Sequence, residues 1–198
     1  IQKNLENKLL LKGYDNTIEK LKATRKDKEA ALVFFDWKLD FPEVLNNKVG
    51  KKEAGFDIVI GNPPYIQMQK DQGALANELA NKGFATYERT GDIYSIFYEK
   101  GFQLLKEYGT HTFITSSQWM KASYGKSLRR YFLTQNPKTL VLLGPGVFEN
   151  ATVDTNIMVA QKSVNNQELK GCVIKNKSEI EATDNFNITS MNYVGEAP

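Results

Sequence analysis

One cysteine and one histidine stand among the 198 residues, Cys172 and His111. A single thiol excludes an internal disulfide and fits a reducing compartment, so a cytoplasmic location is expected. With no Cys/His cluster there is no basis for a zinc site, and neither residue has a partner suggesting Ser-His or Cys-His catalysis. His111, just ahead of an apolar strand pattern, reads as structural or surface. No run approaches the roughly 18 apolar residues of a membrane span, and the amino-terminus has no signal-peptide pattern. Glycines are scattered: before residue 62 only Gly13, Gly50, Gly55 and Gly61 occur, without a clustered loop. Charge of one sign is lacking too. Lys and Arg number 26 against 23 acidic residues, a net charge of +3 that is compatible with a polyanionic partner but does not require one.

What is present suits one soluble α/β domain, with 41% hydrophobic and 25% charged residues. Residues 1–30 read as a helical lead-in broken near Gly13, with Leu5, Leu9 and Leu10, then Ile18 and Leu21, at partial helical spacing. Lys22–Glu29 reads as a solvated helix face. A short strand is expected at Leu32–Phe35, and a turn with a short extended piece at Phe41–Leu45. Phe56–Ile60 is the strongest strand, apolar enough to suit a sheet covered on both faces. Residues 66–91 form a long polar connection around a short helix near Ala74–Asn81. An amphipathic helix is expected from about Asp92 to Tyr108, stopped by Gly109. Strands follow at Thr112–Thr115, Thr139–Leu143, Thr155–Ala160 and Gly171–Lys175, with a helix at Lys126–Leu133 and a turn at Asn165-Asn166. The alternation predicts a mostly parallel sheet with helices on both faces. The last twenty residues look polar and irregular.

The chemistry concentrates in Asn62-Pro63-Pro64-Tyr65, directly after the strongest strand. At roughly 1 in 20 per position, such a string arises by chance about once in a thousand chains of this length. An amino nitrogen conjugated to a π-system is a poor nucleophile. Two acceptors gripping its N–H bonds return the lone pair to it. The Asn62 side-chain oxygen is one such acceptor, and the Pro63 carbonyl is another that brings no competing donor. Pro63-Pro64 stiffens the loop, so the acceptors are in place before the substrate arrives. Tyr65 offers a flat face for a base. Ligands of parallel α/β sheets bind at the carboxyl ends of strands, where these residues fall.

These residues resemble motif IV of the adenine-N6 DNA methyltransferases of restriction–modification systems. Gly91–Lys100 with Leu104-Leu105-Lys106 resembles the family's next motif, and Thr112–Ser116 with Gln118-Trp119-Met120 the strand and loop after it. Gly146–Thr155 resembles the segment whose aromatic residue stacks on the target base. Phe35–Val44 looks like a signature of large single-chain enzymes that fuse restriction and modification. The resemblance covers about residues 31–162. It implies a partial Rossmann-like methyltransferase sheet and S-adenosylmethionine as cofactor. It also implies double-stranded DNA as partner and a flipped adenine as target. Asn62 and Pro63 would hold the amino group, Tyr65 and Phe148 would sandwich the base, and Pro64, Ile93 and Phe97 would pack on the cofactor's adenine.

The glycine-rich cofactor loop and the ribose-binding acid of the family are not visible before Asn62. Together with an opening Ile instead of Met, this suggests the carboxyl-terminal part of a catalytic core (residues 31–176). Residues 177–198 would then lead toward a target-recognition domain in the remainder of a parent polypeptide, and the piece alone would be inactive. Two alternatives remain open. Enzymes that methylate a glutamine amide of translation release factors carry the same tetrapeptide for the same reason, so a protein glutamine, or an RNA, is the other substrate class. A non-catalytic nucleic-acid-binding module could use Lys121, Lys126 and Arg129, interleaved with aromatic residues, as phosphate contacts.

Overall fold

The computed structural model describes residues 35–46, 53–144, 154–175 and 189–191. The expected helical lead-in, all of the expected strand at Leu32–Phe35 except Phe35, and Phe148 lie outside the described residues. The chain divides into two compact units, Ile1–Pro42 and Glu43–Pro198. In the first, α1 (Trp37–Asp40) is a single turn capped by Asp36, whose carboxylate accepts from the N–H groups of Lys38 and Leu39. Trp37 stacks on Phe41 with ring centroids 5.9 Å apart, and Phe35 meets Trp37 edge-on. Pro42–Leu45, at the boundary of the two units, forms a second helical turn, α2; a turn was expected there, but the short extended piece expected with it is absent. Proline at the first helical position lacks only an N–H that would be unpaired there anyway.

The second unit is built on a six-stranded sheet. Its strands are β1 (Phe56–Gly61), β2 (Leu105–Ser116), β3 (Asn136–Leu143), β4 (Thr155–Gln161), β5 (Leu169–Ile174) and β6 (Thr189–Met191). The spatial order is β1-β2-β4-β3-β5-β6. β1 runs parallel to β2 and β3 to β5, while the β2–β4, β3–β4 and β5–β6 pairs are antiparallel. The expected α/β fold with a central sheet flanked by helices is therefore present, but the sheet is mixed where a mostly parallel one was anticipated. β4 accounts for the difference. It returns from the end of β3 and inserts between β2 and β3, a placement that local periodicity does not encode. β6 also gives the carboxyl-terminal segment, expected to be irregular, one sheet pairing.

Helices α3 (Ala74–Leu79), α4 (Tyr94–Leu104) and α5 (Lys126–Leu133) join these strands. α4 ends four residues before the expected stop, because Leu105 already pairs with Phe56 in the sheet. The residues that follow bulge, with Tyr108 at φ 64°, before pairing resumes at Ile58↔Thr110. α4 and α5 pack on one face of the sheet. Tyr98 and Phe102 of α4 meet His111 and Phe113 of β2, and Phe132 of α5 closes on Tyr98 at 5.0 Å. Leu128, Leu140, Met158 and Ala160 complete this core. β1 is the edge strand: Val59 turns toward α4, while Ile58 and Ile60 on the opposite face are 61% and 78% exposed. Among the described residues, no element covers that opposite face, where covering on both faces was expected.

His111 sits at the centre of the layer, fully buried, stacked on Phe102 at 4.6 Å and edge-on to Phe113 at 4.2 Å. Its place depends on Gly101, where a Cβ would lie 2.2 Å from His111 Nε2. Neither ring nitrogen has a hydrogen-bond partner, and burial pushes the imidazole pKa down from 6.5 to about 3. The folded state therefore binds fewer protons than the unfolded chain. The stability this group confers is complete above pH 6.5 and is lost as the pH falls toward 3. The slope is about 1.4 kcal/mol per pH unit. Urea unfolding at pH 7.5 and 5.5 should show a loss of about 1 kcal/mol, and His111→Leu should remove most of that pH dependence.

Candidate active site

The carboxyl end of β1 delivers Asn62-Pro63-Pro64-Tyr65 onto the surface. Asn62 and Pro64 are exposed, Pro63 is buried, and Tyr65 is 41% exposed. The Tyr65 ring meets the buried Tyr94 edge-on, with centroids 6.1 Å apart at 81°. Burial, then the Asp92 carboxylate, raises the Tyr65 phenol above its ordinary pKa, so at neutral pH the ring stays uncharged. An uncharged ring with one free flank is what stacking on a base requires.

The polar stretch after the tetrapeptide is not a free loop. Ile66 N–H donates to Asp92 Oδ1 at 2.9 Å, and Ile93 N–H returns to the Ile66 carbonyl at 2.9 Å. Met68 N–H donates to the Gly91 carbonyl, and Gln67 bridges antiparallel to Asp92. Met68, Ala76 and Ile96 form a small second core with Leu75, Phe84 and Ile93. Farther along, Thr86 donates its N–H and hydroxyl to the buried Glu99 carboxylate on α4. The long connection thus folds back on α4 and on the residues just before it.

Ile93 and Phe97 lie one turn apart at the start of α4. Ile93 is half-buried against the second core, but Phe97 is 40% exposed between buried Ile96 and Tyr98. An exposed aromatic ring on a helix whose neighbours are buried fits an apolar platform better than a core position. Pro64, the third residue expected at the cofactor's adenine, is exposed. Among the described residues, no glycine-rich loop or ribose-holding acid accompanies them.

At the carboxyl end of β2, Ser116 caps a 3-10 turn, Ser117–Met120. Ser117 donates through its N–H to the Asp154 carbonyl, and Ser116 and Leu143 both pair with Thr155. The segment carrying Phe148 therefore leaves and returns at the same end of the sheet as Asn62, since β1 and β2 are parallel. Sequence reasoning missed a buried chain beneath this end. Tyr98 Oη lies 3.1 Å from Thr115 Oγ1, and Asn156 Nδ2 donates to the Thr115 and Ser116 carbonyls. That reasoning placed Asp92 at the start of the helix, a position an acid favours, but did not anticipate the contact of its carboxylate with Ile66.

The three basic residues part company. Lys121 and Lys126 are exposed. Arg129 is half-buried, and its Nη1 donates to the Trp119 and Ala122 carbonyls at 2.5 and 3.0 Å. The same turn needs Gly125, where a Cβ would lie 1.8 Å from the Trp119 carbonyl oxygen.

A family model described as Eco57I restriction-modification methylase matches residues 2–148. The chain belongs to the Eco57I restriction-modification methylase family. It is 34% identical over 117 residues to the type II restriction enzyme and methyltransferase RM.Eco57I of Escherichia coli, covering 54% of this chain and 11% of that protein. It is also 34% identical over 105 residues to the type II methyltransferase M.BstVI of Geobacillus stearothermophilus, covering 53% and 17%. The chain thus spans only a small part of the length of these relatives. Among solved structures, a type I restriction-modification methyltransferase subunit from Streptococcus thermophilus matches with a TM-score of 0.53. That match covers 78% of this chain and 34% of that one at 17% identity. A Listeria monocytogenes protein described as a class I S-adenosylmethionine-dependent methyltransferase matches at 0.51 over 66% of this chain and 40% of that one, at 16% identity. Those likenesses show the fold, the Rossmann-like sheet of class I methyltransferases.

The environment of Arg129 in this Eco57I-family chain separates bracing from surface charge. Arg129→Met removes the donor from the Trp119 carbonyl and one of two donors from the Ala122 carbonyl, which keeps the Gly125 N–H, and should lower unfolding stability by about 1–3 kcal/mol. Lys121→Met and Lys126→Met should stay within about 0.5 kcal/mol of the wild type in the same urea titration.

Proposed function

We propose that this chain is the carboxyl-terminal part of the catalytic core of a DNA methyltransferase of a restriction–modification enzyme. Its reaction moves a methyl group from S-adenosylmethionine to the exocyclic N6 of an adenine turned out of the duplex. The observation that carries the reading is the tetrapeptide itself. An exposed amide, a stiff Pro-Pro carbonyl and an exposed uncharged ring leave the carboxyl end of β1 together. The family membership and the class I sheet support it.

In this reading Asn62 Oδ1 and the Pro63 carbonyl accept the two N–H bonds of the target amino group. Its lone pair is thereby drawn out of conjugation and toward the methyl. Tyr65 stacks on the base, with Phe148 as the partner ring supplied by the segment anchored at Gly144 and Asp154. Extrusion is required because the amino group of a paired adenine is out of reach. The cofactor supplies an electrophilic methyl on a sulfonium whose thioether leaves readily, so no side chain must remove the proton before transfer. Pro64, Ile93 and Phe97 form the apolar seat for its adenine. Exposed Lys121 and Lys126 contact phosphates, whereas Arg129 braces the turn that carries them.

The test uses the full-length protein containing this chain, labelled S-adenosylmethionine and duplex DNA. Asn62→Ala should lower the transfer rate by at least about 10²-fold while duplex affinity stays within about threefold. An unchanged rate, or a label that appears on a protein amide and not on DNA, would overturn the reading.

A further inference from the structure

Gripping an amino group works only if Asn62 and the Pro63 carbonyl hold still, yet Pro63 alone is buried while Asn62, Pro64, Tyr65 and Ile66 are exposed. Proline rings fix their own φ but do not tie the loop to anything. The tie comes from 26 residues away. Asp92 Oδ1 accepts the N–H of Ile66, the residue directly after Tyr65, at 2.9 Å. The same oxygen lies 3.4 Å from the N–H of Tyr94, the first residue of α4. A carboxylate whose only task was to cap α4 would favour the helix N–H. The distances run the other way, and the well-formed bond goes to the tetrapeptide loop. Ile93 N–H and the Ile66 carbonyl, 2.9 Å apart, close the junction from the other side.

The position of this junction gives it a consequence for chemistry. Upstream of Ile66 lie the groups that hold the amino group; downstream of Asp92 lie Ile93 and Phe97, the cofactor seat. We propose that Asp92 is a positioning residue for methyl transfer, its carboxylate fixing the tetrapeptide to the start of α4 so that acceptor and methyl donor keep one spacing. The inference rests on the methyltransferase reading above. Displacing reacting groups by about 1 Å costs on the order of 10²-fold in rate.

Two substitutions in the full-length enzyme separate tethering from capping. Asp92→Asn keeps an oxygen that reaches both N–H groups. Asp92→Ser keeps a good helix cap but is too short to reach Ile66 as well. Asp92→Ser should lower kcat by about 10²-fold with both KM values within about threefold, and Asp92→Asn should recover to within about tenfold of the wild type. Hydrogen exchange at the Ile66 amide should quicken in Asp92→Ser and stay near wild type in Asp92→Asn. Wild-type kcat or unchanged Ile66 exchange in Asp92→Ser overturns the proposal, as does an Asp92→Asn enzyme as impaired as Asp92→Ser. The exchange measurement stands without any activity. A wild-type enzyme that methylates no DNA would defeat the functional reading and leave the tether to be decided by exchange alone.

Discussion

The docking of α4 on the parallel pair β1–β2 is the constraint on which the other features depend. Parallel strands need a crossover, and here the crossover's closing helix lies directly on the two strands it joins. The fit requires a glycine at 101, because His111 occupies the space where a side chain would be. Glycine in a helix interior costs about 1 kcal/mol relative to alanine. The ring stacking of Phe102, His111, Phe113 and Tyr98 that it permits more than offsets this through buried aromatic area. Once α4 is seated, its first turn stands beside the carboxyl end of β1, and the loop leaving β1 can be tied to it.

That geometry explains why several exposed groups collect at one end of the sheet. Tyr65 meets buried Tyr94, Ile66 is bonded to Asp92, Phe97 sits in the α4 backbone ladder, and Gly144 and Asp154 are held by backbone bonds. They are not surface residues that happen to be near one another. The buried Tyr98–Thr115–Asn156 contacts join α4, β2 and β4 under the same end. Buried polar contacts thus underlie an exposed rim, an arrangement that suits the proposed function, in which preorganised acceptors meet a base that arrives from outside.

Much of this was legible in the sequence because it is local. The strand at Phe56–Ile60, the helix at Lys126–Leu133 and the strand at Thr155–Ala160 each announce themselves by pattern within a few residues, and the tetrapeptide marks its own place. What the sequence hid was non-local. The end of α4 at Leu104 is set by pairing of Leu105 with Phe56, not by Gly109. The antiparallel insertion of β4 depends on a chain path that periodicity does not specify. Arg129 looks like any basic surface residue until its two carbonyl partners are seen. The exposure of Phe97 is not visible in the helical pattern alone; the residues on either side of it, Ile96 and Tyr98, take the core positions.

The central claim is that an exocyclic adenine nitrogen receives the methyl group. Nucleoside mass spectrometry of duplex DNA treated with the full-length protein and isotopically labelled S-adenosylmethionine tests it most directly. The account predicts labelled N6-methyladenine and no other labelled nucleoside. Labelled N4-methylcytosine, or labelled protein with unlabelled DNA, would contradict it.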